Sequence, residues 1–319
     1  MTVFLSTLVP GVCRAERDGL GRWSIETLLP STDARSLAVD PRNPSNVWAG
    51  TQGAGVLKSV DAGVTWSQAG LDGLVVKAIT VCDDGRIYAG TRPAMVFVTE
   101  DDGLTWSEVF AFRRVRRLFW FSPAEAPFTA YVQAIAVDGE VIVAGIEAGA
   151  VVRSSDAGRS WQGHRPGALR DCHSLVSGHP GRFFEAGGSG GGAAVSSDGG
   201  QTWHRPSGHE RRYGWACAAD PADPELWYFS SAPGVRAHSS DADAAIYRCI
   251  GAGSTKRLSG GLPVHMKAMP YSLLTGPEPN QLVAGMSDGE VWESRDAGDA
   301  WNLLVRLPGV NRVMIRIDS

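Results

Sequence analysis

The octet SVDAGVTW at residues 59–66 is the stretch that decides the fold. Near-copies recur at four further places: TEDDGLTW at 99–106, SSDAGRSW at 154–161, SSDGGQTW at 196–203 and SRDAGDAW at 294–301. An aspartate that precedes a glycine can accept backbone N–H groups in a tight turn, and glycine supplies the positive φ that such a turn requires. The tryptophan can cover the adjacent sheet with a large apolar area. The octet therefore predicts a repeated structural turn, and a chemical role for its aspartates is the less favoured interpretation.

The spacing of the octet tryptophans gives the length of the repeat. Most successive tryptophans lie roughly 40–55 residues apart, a range typical of propeller blades, and the last interval is about twice as long. Within that long interval, residues 244–263 have the strand pattern of a copy that lacks the octet. Trp23 follows Asp18 at the same offset as in the octets and marks a degenerate first copy. The chain therefore contains seven repeat units.

Each repeat unit has the pattern of four short strands. In the clearest unit these are RSLAVDP at 35–41, NVWAGT at 46–51, GVLKSV at 55–60 and TWSQAG at 65–70. The segments are rich in β-branched and small apolar residues, and glycine, proline and asparagine separate them. The sequence therefore predicts an all-β protein, a seven-bladed β-propeller made of four-stranded antiparallel blades.

The two ends of the chain complement each other. The N-terminal segment supplies the last three strands of a blade, and residues 310–317 supply a first strand without successors. Pairing of the C-terminal strand with residues 2–6 would close the ring and remove exposed sheet edges. We therefore expect one domain over residues 1–319. Its predicted blades are 1–30 with 308–319, 33–70, 75–112, 131–166, 170–208, 212–262 and 265–306. An insertion at 111–131 is predicted on the top face, which is the face of the ring that carries the connections from each fourth strand to the next first strand and from each second strand to the third.

Composition narrows the class of protein. The formal net charge of −4 argues against a protein that holds nucleic acid phosphates. The five cysteines form no C-x-x-C pair, which favours free thiols in a reducing compartment. No segment approaches the roughly 20 apolar residues that span a bilayer. We expect a cytoplasmic protein without nucleic acid or membrane partners.

Alignment of the predicted first strands gives one equivalent position per blade, at the mouth of the central channel. Four of the seven residues are cationic and one is histidine, in a chain that is acidic as a whole. Clustered cations at a concave mouth would raise the local concentration of an anionic ligand. The alternative is that a wet channel mouth tolerates any polar residue. The seven residues are Arg35, Lys77, Gln133, His173, Trp215, Lys267 and Arg312.

The neighbouring loops carry the candidates for chemistry. Glu147, Asp171 and His173 are the predicted catalytic residues, because carboxylates near cations and histidine can divide into an acid and a base. Tyr213 offers a flat face for a sugar or aromatic ring, as Trp215 does. His265 joins the predicted ligand-binding set from the next connection, and the insertions 111–131 and 230–244 are expected to form walls. The alternative is that the carboxylates form ion pairs that hold loops.

A metal site is a further alternative at the same mouth. Glu147, Asp171, His173 and His265 could offer nitrogen and oxygen ligands with open positions to a divalent metal. These ligands come from separate loops without tight local spacing. We therefore predict no cofactor, and keep the metal as the second interpretation.

The octets are identified as Asp-box, or BNR, repeats, and the resemblance spans nearly the whole chain. Similar repeats occur in sialidases, xyloglucan-acting glycosidases, sortilin-type receptors and photosystem assembly factors. The linked pattern YVQAIAV, AGIEAGAVVRSSDAG, DCHSL and YGWACAADPADPELWY resembles bacterial WD40/YVTN/BNR-like repeat proteins described as sialidase-like or glycosyl hydrolase-like. True sialidases have six blades and carry an R-I-P motif. This sequence has no R-I-P and predicts seven blades, which argues against sialidase activity.

These observations predict a small-molecule or glycan-like ligand at the axial mouth. The ligand would be polar, and anionic or sugar-like, and the resemblance implies glycoside hydrolase-like or lyase-like chemistry, that is, hydrolysis or elimination. The alternative is a non-catalytic scaffold or assembly factor that binds a protein partner on its top face. An enzyme would have a deep pocket with paired carboxylates, whereas a scaffold would have a flat apolar face.

Overall fold

The computed structural model describes residues 2–116, 120–122, 126, 128–188, 190–276, 278–310 and 312–318. These residues form 26 strands, arranged as seven separate antiparallel sheets around a central channel, and two 3-10 helices at Phe110–Arg114 and Val235–His238. The predicted seven-bladed β-propeller is thus confirmed. Of the predicted insertion 111–131, residues 117–119, 123–125 and 127 lie outside the described part. None of the described helices has the length and apolar character that crossing a membrane would need.

We number the blades 1 to 7 from the N-terminus, and the strands in chain order. Blade 1 contains β1 (Thr2–Thr7), β2 (Val12–Arg17), β3 (Trp23–Leu28) and the C-terminal β26 (Met314–Asp318). Blade 2 contains β4 (Ala34–Asp40), β5 (Asn43–Thr51), β6 (Val56–Ser59) and β7 (Ser67–Gln68). Blade 3 contains β8 (Val75–Val81), β9 (Ile87–Arg92), β10 (Val96–Thr99) and β11 (Ser107–Glu108).

Blades 4 and 5 have three strands each, and a single bridge adds a fourth segment at the outer edge. Blade 4 contains β12 (Val132–Asp138), β13 (Val141–Ile146) and β14 (Val151–Ser154), with a bridge from Arg153 to Gln162. Blade 5 contains β15 (Cys172–Ser177), β16 (Phe183–Gly187) and β17 (Gly192–Ser196), with a bridge from Val195 to His204.

Blades 6 and 7 complete the ring. Blade 6 contains β18 (Tyr213–Ala219), β19 (Leu226–Ala232), β20 (Ala245–Ile250) and β21 (Thr255–Arg257). Blade 7 contains β22 (Pro270–Thr275), β23 (Leu282–Met286), β24 (Glu290–Ser294) and β25 (Asn302–Arg306). In every blade the first strand lines the axis, and in blade 1 that strand is β26.

The ring closes as the sequence predicted. β26 pairs antiparallel with β1, from Thr2 opposite Asp318 to Ser6 opposite Met314. The Thr7 backbone N–H donates to the Val313 carbonyl at 3.0 Å, which extends the pairing beyond the strand. The C-terminal strand therefore occupies the innermost place of the blade that the N-terminus begins, and no inner edge of this sheet is left open.

The hydrophobic core lies between the blades, because each sheet has a neighbour on both faces. All seven residues of β19 are buried, and its aromatic residues Trp227, Tyr228 and Phe229 are among the largest buried side chains. A second strand is hydrogen-bonded on both sides and covered on both faces, so it carries a continuous apolar run instead of an alternating pattern. Packing between blades therefore fixes where each inner strand stands.

The octets form the turn between the third and fourth strands, at the outer edge of the blades. In the first octet, the Ser59 hydroxyl donates to Asp61 at 2.7 Å and accepts the Gly63 N–H at 2.8 Å. The Trp66 indole N–H donates to the Gly63 carbonyl at 2.9 Å. The Asp156 carboxylate of the third octet accepts the Ser160 hydroxyl and backbone N–H, and these bonds lower its pKa to about 2. The octet aspartates thus close turns, far from the channel.

Removal of residues 310–319 is expected to abolish the single cooperative unfolding transition, because it takes away β26 and exposes the edge of β1. Differential scanning calorimetry measures this. The matched control is a circular permutant, in which a short linker joins residues 318 and 2 and new ends open at Gly73. It keeps β26 and should melt cooperatively. A truncated chain that melts like the full chain would contradict the closure by β26.

The replacement Trp203→Ala is expected to lower the free energy of unfolding by about 3–5 kcal/mol. Trp203 is 3% exposed and packs in the core cluster with Phe183 and Ala194. Trp161, in the equivalent octet position of blade 4, is only half-buried and gives the matched control. Denaturant titration of both variants should show the smaller loss for Trp161→Ala. Equal losses would mean that burial of the indole does not set the contribution of the octet.

Candidate functional site at the axial channel

A β-bulge stands at the head of six inner strands, and it determines which side chains reach the axis. In blades 2 to 7 the pairing of the first strand with the second skips at this point. A bulge inserts an extra residue that breaks the alternation of a strand and re-aims its side chain. The skip in blade 6 spans two residues, Trp215 and Ala216, and both line the channel. With Trp215, the residues at the skips that line the channel are Arg35, Lys77, Gln133, His173 and Tyr271.

The central channel contains a cavity of about 430 Å³, lined by all seven inner strands. Six of the seven predicted mouth residues line it: Arg35, Lys77, Gln133, His173, Trp215 and Arg312. The prediction that Lys267 lines the channel mouth in the remaining blade is wrong, because Lys267 is not among the residues that line the cavity. The inner strand of blade 7 begins at Pro270, so Tyr271 takes the equivalent position, and the exposed Lys267 lies in the preceding connection.

The cations of the mouth have distinct surroundings. Lys77 is only 4% exposed, and its ammonium lies 4.6 Å from the centre of the Tyr131 ring. Arg35 forms an ion pair with Asp33. The backbone N–H of Arg312 donates to Thr7, and the Arg312 Nε is buried without a hydrogen-bond acceptor among the described residues. The guanidinium of Arg312 therefore retains donor capacity toward the channel.

Asp171 and His173 form a contact pair at the mouth. The His173 imidazole has a side-chain exposure of 3%, with Nδ1 2.7 Å from the Gly214 carbonyl and Nε2 3.5 Å from Asp171 Oδ1. Because a carbonyl only accepts, Nδ1 carries the proton and Nε2 faces the carboxylate. Burial lowers the pKa of His173, but Asp171, the Gly214 carbonyl and Glu147 outweigh it and raise the pKa above its ordinary value.

Glu147 follows β13 and reaches the same region. Its carboxyl group is half-buried, and burial raises its pKa above the ordinary value. The charge of Asp171 also raises the pKa of Glu147, whereas the positive charges of His173, Lys77 and Arg312 lower it in part. The backbone N–H of Ala148, the residue after Glu147, donates to Asp171 Oδ1 at 3.2 Å. The structure thus brings the three predicted catalytic residues together. The Glu147 carboxyl favours its neutral form there, beside the pair of the Asp171 carboxylate and the His173 imidazole.

Aromatic rings form one wall of the mouth. The His173 ring centre lies 4.7 Å from that of Trp215 and 5.0 Å from that of Tyr213. The ring centres of Trp215 and Tyr271 are 5.0 Å apart. Predicted and unpredicted residues therefore share this wall, and it faces the cationic side of the channel.

His238 is a functional candidate that the sequence analysis missed. Its Nε2 lies 3.0 Å from the Tyr213 hydroxyl, and its Nδ1 lies 2.8 Å from the Tyr271 hydroxyl. Burial, then the charges of His173 and Arg312, lower the pKa of His238. His238 ends the 3-10 helix Val235–His238 of the insertion 230–244. Sequence repeats give no signal for it, because no other blade has a counterpart of this insertion within the described residues.

Tyr271 did have a signal in the sequence. The triplet Tyr271-Ser-Leu repeats Arg35-Ser-Leu and His173-Ser-Leu, whereas Lys267-Ala-Met repeats only Lys77-Ala. The same displacement of the strand by four residues led to the prediction of His265 at the mouth. Its imidazole is half-exposed and contacts Asp241 at 2.6 Å and Asp243 at 3.2 Å.

The four residues of the alternative metal site, Glu147, Asp171, His173 and His265, are therefore not brought together. His265 pairs with Asp241 and Asp243, and it does not line the channel with His173. In the part of the chain that the structure describes, no three His, Cys, Asp or Glu side chains are arranged as a metal site.

A glycine-rich turn fixes Asp171 in place. Gly188 donates its N–H to the Asp171 carbonyl at 2.8 Å, and a Cβ at Gly188 would collide with the Asp171 carboxylate and come within 3.0 Å of the Tyr213 ring. Glycine is required here because two site residues approach its backbone.

Glu185, three residues before Gly188, is fully buried. Its Oε2 accepts the Leu169 N–H at 3.0 Å, and burial raises the pKa of Glu185 to about 8.

Asp171→Asn is expected to lower the pKa of His173, because it removes the carboxylate that stabilises the imidazolium. In the native protein the raised pKa contributes stability that is present below about pH 6.5 and is lost as the pH rises through the folded-state pKa. NMR titration of the His173 ring measures the shift, and Asp33→Asn, at the opposite side of the mouth, is the matched control. An unchanged His173 pKa in Asp171→Asn would contradict the pairing.

Comparisons with known proteins agree with this architecture. The BNR/Asp-box repeat model matches residues 194–205, which contain the octet of Trp203. No curated protein matches the chain. The GH74 xyloglucanase from Xanthomonas campestris is similar in structure, with 19% identity and a TM-score of 0.72, over 95% of this chain and 52% of the enzyme. The chain therefore spans about half the length of that enzyme.

Two structures of YCF48 are also similar. YCF48 from Cyanidioschyzon merolae has 11% identity and a TM-score of 0.61, over 94% of this chain and 88% of that one. YCF48 bound to a D1 peptide has 16% identity and a TM-score of 0.58, over 85% and 80% of the two chains. Identities this low concern the fold alone. Together with the octets, these findings identify the chain as a seven-bladed β-propeller that carries BNR/Asp-box repeats.

Proposed function

We propose that the axial mouth binds a small anionic, sugar-like molecule and that Glu147, Asp171 and His173 cleave a bond in it. The observation that carries the proposal is the arrangement of the bulge residues. Cations line one side of the channel cavity and aromatic rings line the other, and the carboxyl of Glu147, whose pKa is raised, is influenced by the charges of His173, Lys77 and Arg312 in that lining. Convergent polar groups and perturbed pKa values in a cavity are typical of ligand sites.

The cationic side would hold the anionic group of the ligand. Lys77 is nearly buried, and the buried Arg312 Nε has no acceptor among the described residues. A carboxylate or phosphate at this point would accept charge-assisted hydrogen bonds from the guanidinium of Arg312, whose Nε is already shielded from water. Interactions of this kind gain strength where solvent is excluded.

The aromatic side would hold the ring of the ligand. Trp215 and Tyr271 present flat apolar faces, on which the C–H face of a sugar can pack. Gln133 donates its amide N–H to the His173 carbonyl, and its amide oxygen is buried without a donor among the described residues. A ligand hydroxyl can satisfy that oxygen. These contacts favour a hydroxylated ring with an acidic substituent.

The acid and base roles follow from the environments of the carboxyl groups. Burial favours the neutral form of Glu147, which suits a general acid that protonates a leaving oxygen. Asp171 with His173 can accept a proton, either from water, which gives hydrolysis, or from a carbon beside the ligand carboxylate, which gives elimination. The likeness to a GH74 xyloglucanase agrees with glycoside chemistry at the level of the fold.

A protein partner on the same face is the second candidate. One similar structure is YCF48 bound to a D1 peptide, and the insertions of this chain expose Phe121, Phe128 and Val235. Such apolar side chains on a top face would suit a polypeptide. The three cations that line the channel, of which Lys77 is buried, are the reason to prefer the small ligand.

Arg312→Gln is expected to raise the Kd of glucuronic acid by about 10- to 100-fold, as the loss of a hydrogen bond to a charged group does. Isothermal titration calorimetry measures the binding. Arg159→Gln removes an exposed arginine of an octet turn, far from the channel, and should leave the Kd unchanged. Equal affinity of Arg312→Gln and the native protein, or binding only of peptides, would overturn the proposal.

The cleavage step is tested on a β-linked glucuronide with a chromogenic leaving group. Glu147→Gln keeps the size of the side chain but cannot donate a carboxyl proton, so turnover should fall by roughly 10²–10⁴ while binding persists. Release of the chromogenic group from C1 together with free glucuronic acid would indicate hydrolysis. Elimination removes the C5 proton and expels the oxygen on C4, so it is tested on glucuronic acid that carries a sugar on O4, and ultraviolet absorbance of an unsaturated product would indicate it. Binding without any turnover in the native protein would remove the catalytic part of the proposal.

A further inference from the structure

A second cavity, of about 700 Å³, opens beside the axial mouth and crosses blades 6, 7 and 1. We call it the side cavity. It lies among the connection that contains Lys267 and Ala268, the turn at Leu8–Pro10 between β1 and β2, and the segment that leads from blade 7 to β26. Tyr271 lines both this cavity and the channel. The two cavities are therefore neighbours that share a wall.

The wall between the two cavities is built by Tyr271 and His238. His238 contacts the edge of Trp215, with ring centres 4.8 Å apart and planes at 78°. A neutral imidazole has one donor and one acceptor nitrogen, and the hydroxyls of Tyr213 and Tyr271 occupy both. The wall is thus held by hydrogen bonds at both ends, and a ligand that fills both cavities would pass along it.

The side cavity differs from the channel in its chemistry. Its charged side chains among the described residues are Lys267 and Asp288, which have opposite signs and are exposed. Apart from the His238 imidazole in the shared wall, the rest of its lining is apolar, as at Val9 and Pro308, or carries hydroxyls, as at Ser240. A lining of apolar surface and hydroxyl groups with little net charge suits an uncharged sugar ring, which has apolar faces and a hydroxyl rim.

We propose that the side cavity is the subsite for a second, uncharged sugar residue, glycosidically linked to the anionic sugar in the axial mouth. The proposal rests on the proposed function, and it narrows the ligand class from a single acidic sugar to an acidic disaccharide or a longer glycan end. The shared border of the two cavities at Tyr271, and the change from a cationic lining to one whose two charges have opposite signs, carry the inference.

The test compares glucuronic acid with a disaccharide in which glucuronic acid is linked to a neutral hexose, by isothermal titration calorimetry. The native protein should bind the disaccharide about tenfold more tightly, which corresponds to burial of about 60 Å² of apolar ring surface. Ala268→Trp fills the side cavity and should remove this gain while the Kd of glucuronic acid stays the same. Ala222→Trp, at an exposed position outside both cavities, is the matched control and should keep the gain.

The outcomes separate the two proposals. Binding of glucuronic acid without a gain for the disaccharide, or a gain that Ala268→Trp retains, would overturn the subsite and leave the proposed function standing. Failure of both sugars to bind would overturn the proposed function, and the subsite with it. Circular dichroism of each variant shows that the fold is retained, so that a lost gain reports on the cavity.

Discussion

The β-bulge at the head of the inner strands is the constraint on which the candidate site depends. A regular strand in a propeller points its side chains toward the two neighbouring blades, so it offers nothing to the axis. The bulge supplies one residue that points inward, and it needs space in the blade before it. Gly50 and Gly90 provide that space: a Cβ there would come within about 2.7 Å of Val76 and Val132, the residues that precede Lys77 and Gln133. Small residues in second strands thus allow functional residues in first strands.

Burial then gives the mouth residues their chemistry. The same exclusion of water raises the pKa of Glu147, leaves the Arg312 Nε without an acceptor among the described residues and strengthens the pairing of Asp171 with His173. Each effect would be small at an exposed position, because water would screen the charges and satisfy the donors. The octet aspartates are the contrast within this chain. Their hydrogen-bonded turns are as regular as the bulges, but they lie at the exposed outer edge and serve the fold.

The insertion in blade 6 breaks the near-sevenfold regularity of the mouth. Six bulges place residues at equivalent points, and the 3-10 helix Val235–His238 adds an imidazole that belongs to no repeat. His238 ties Tyr213 to Tyr271 and separates the channel from the side cavity. The ring of strands therefore creates a general position for a ligand, whereas the insertion decides which part of the mouth can extend sideways. Specificity in such a fold comes from the blade that departs from the repeat.

The sequence by itself determined the seven blades, the closure by the C-terminal strand and six of the seven residues at the mouth, because a repeated pattern fixes each blade against the others. Only the tertiary structure decided the seventh. Lys267 and Tyr271 both begin acceptable strand patterns, and the packing of β22 against its neighbours selects Tyr271. His238, Gly188 and the buried Glu185 were likewise invisible, since their roles arise from contacts between segments distant in sequence. Periodicity in the sequence specifies which strands form. Contacts between loops that are distant in sequence specify which further residues reach the site.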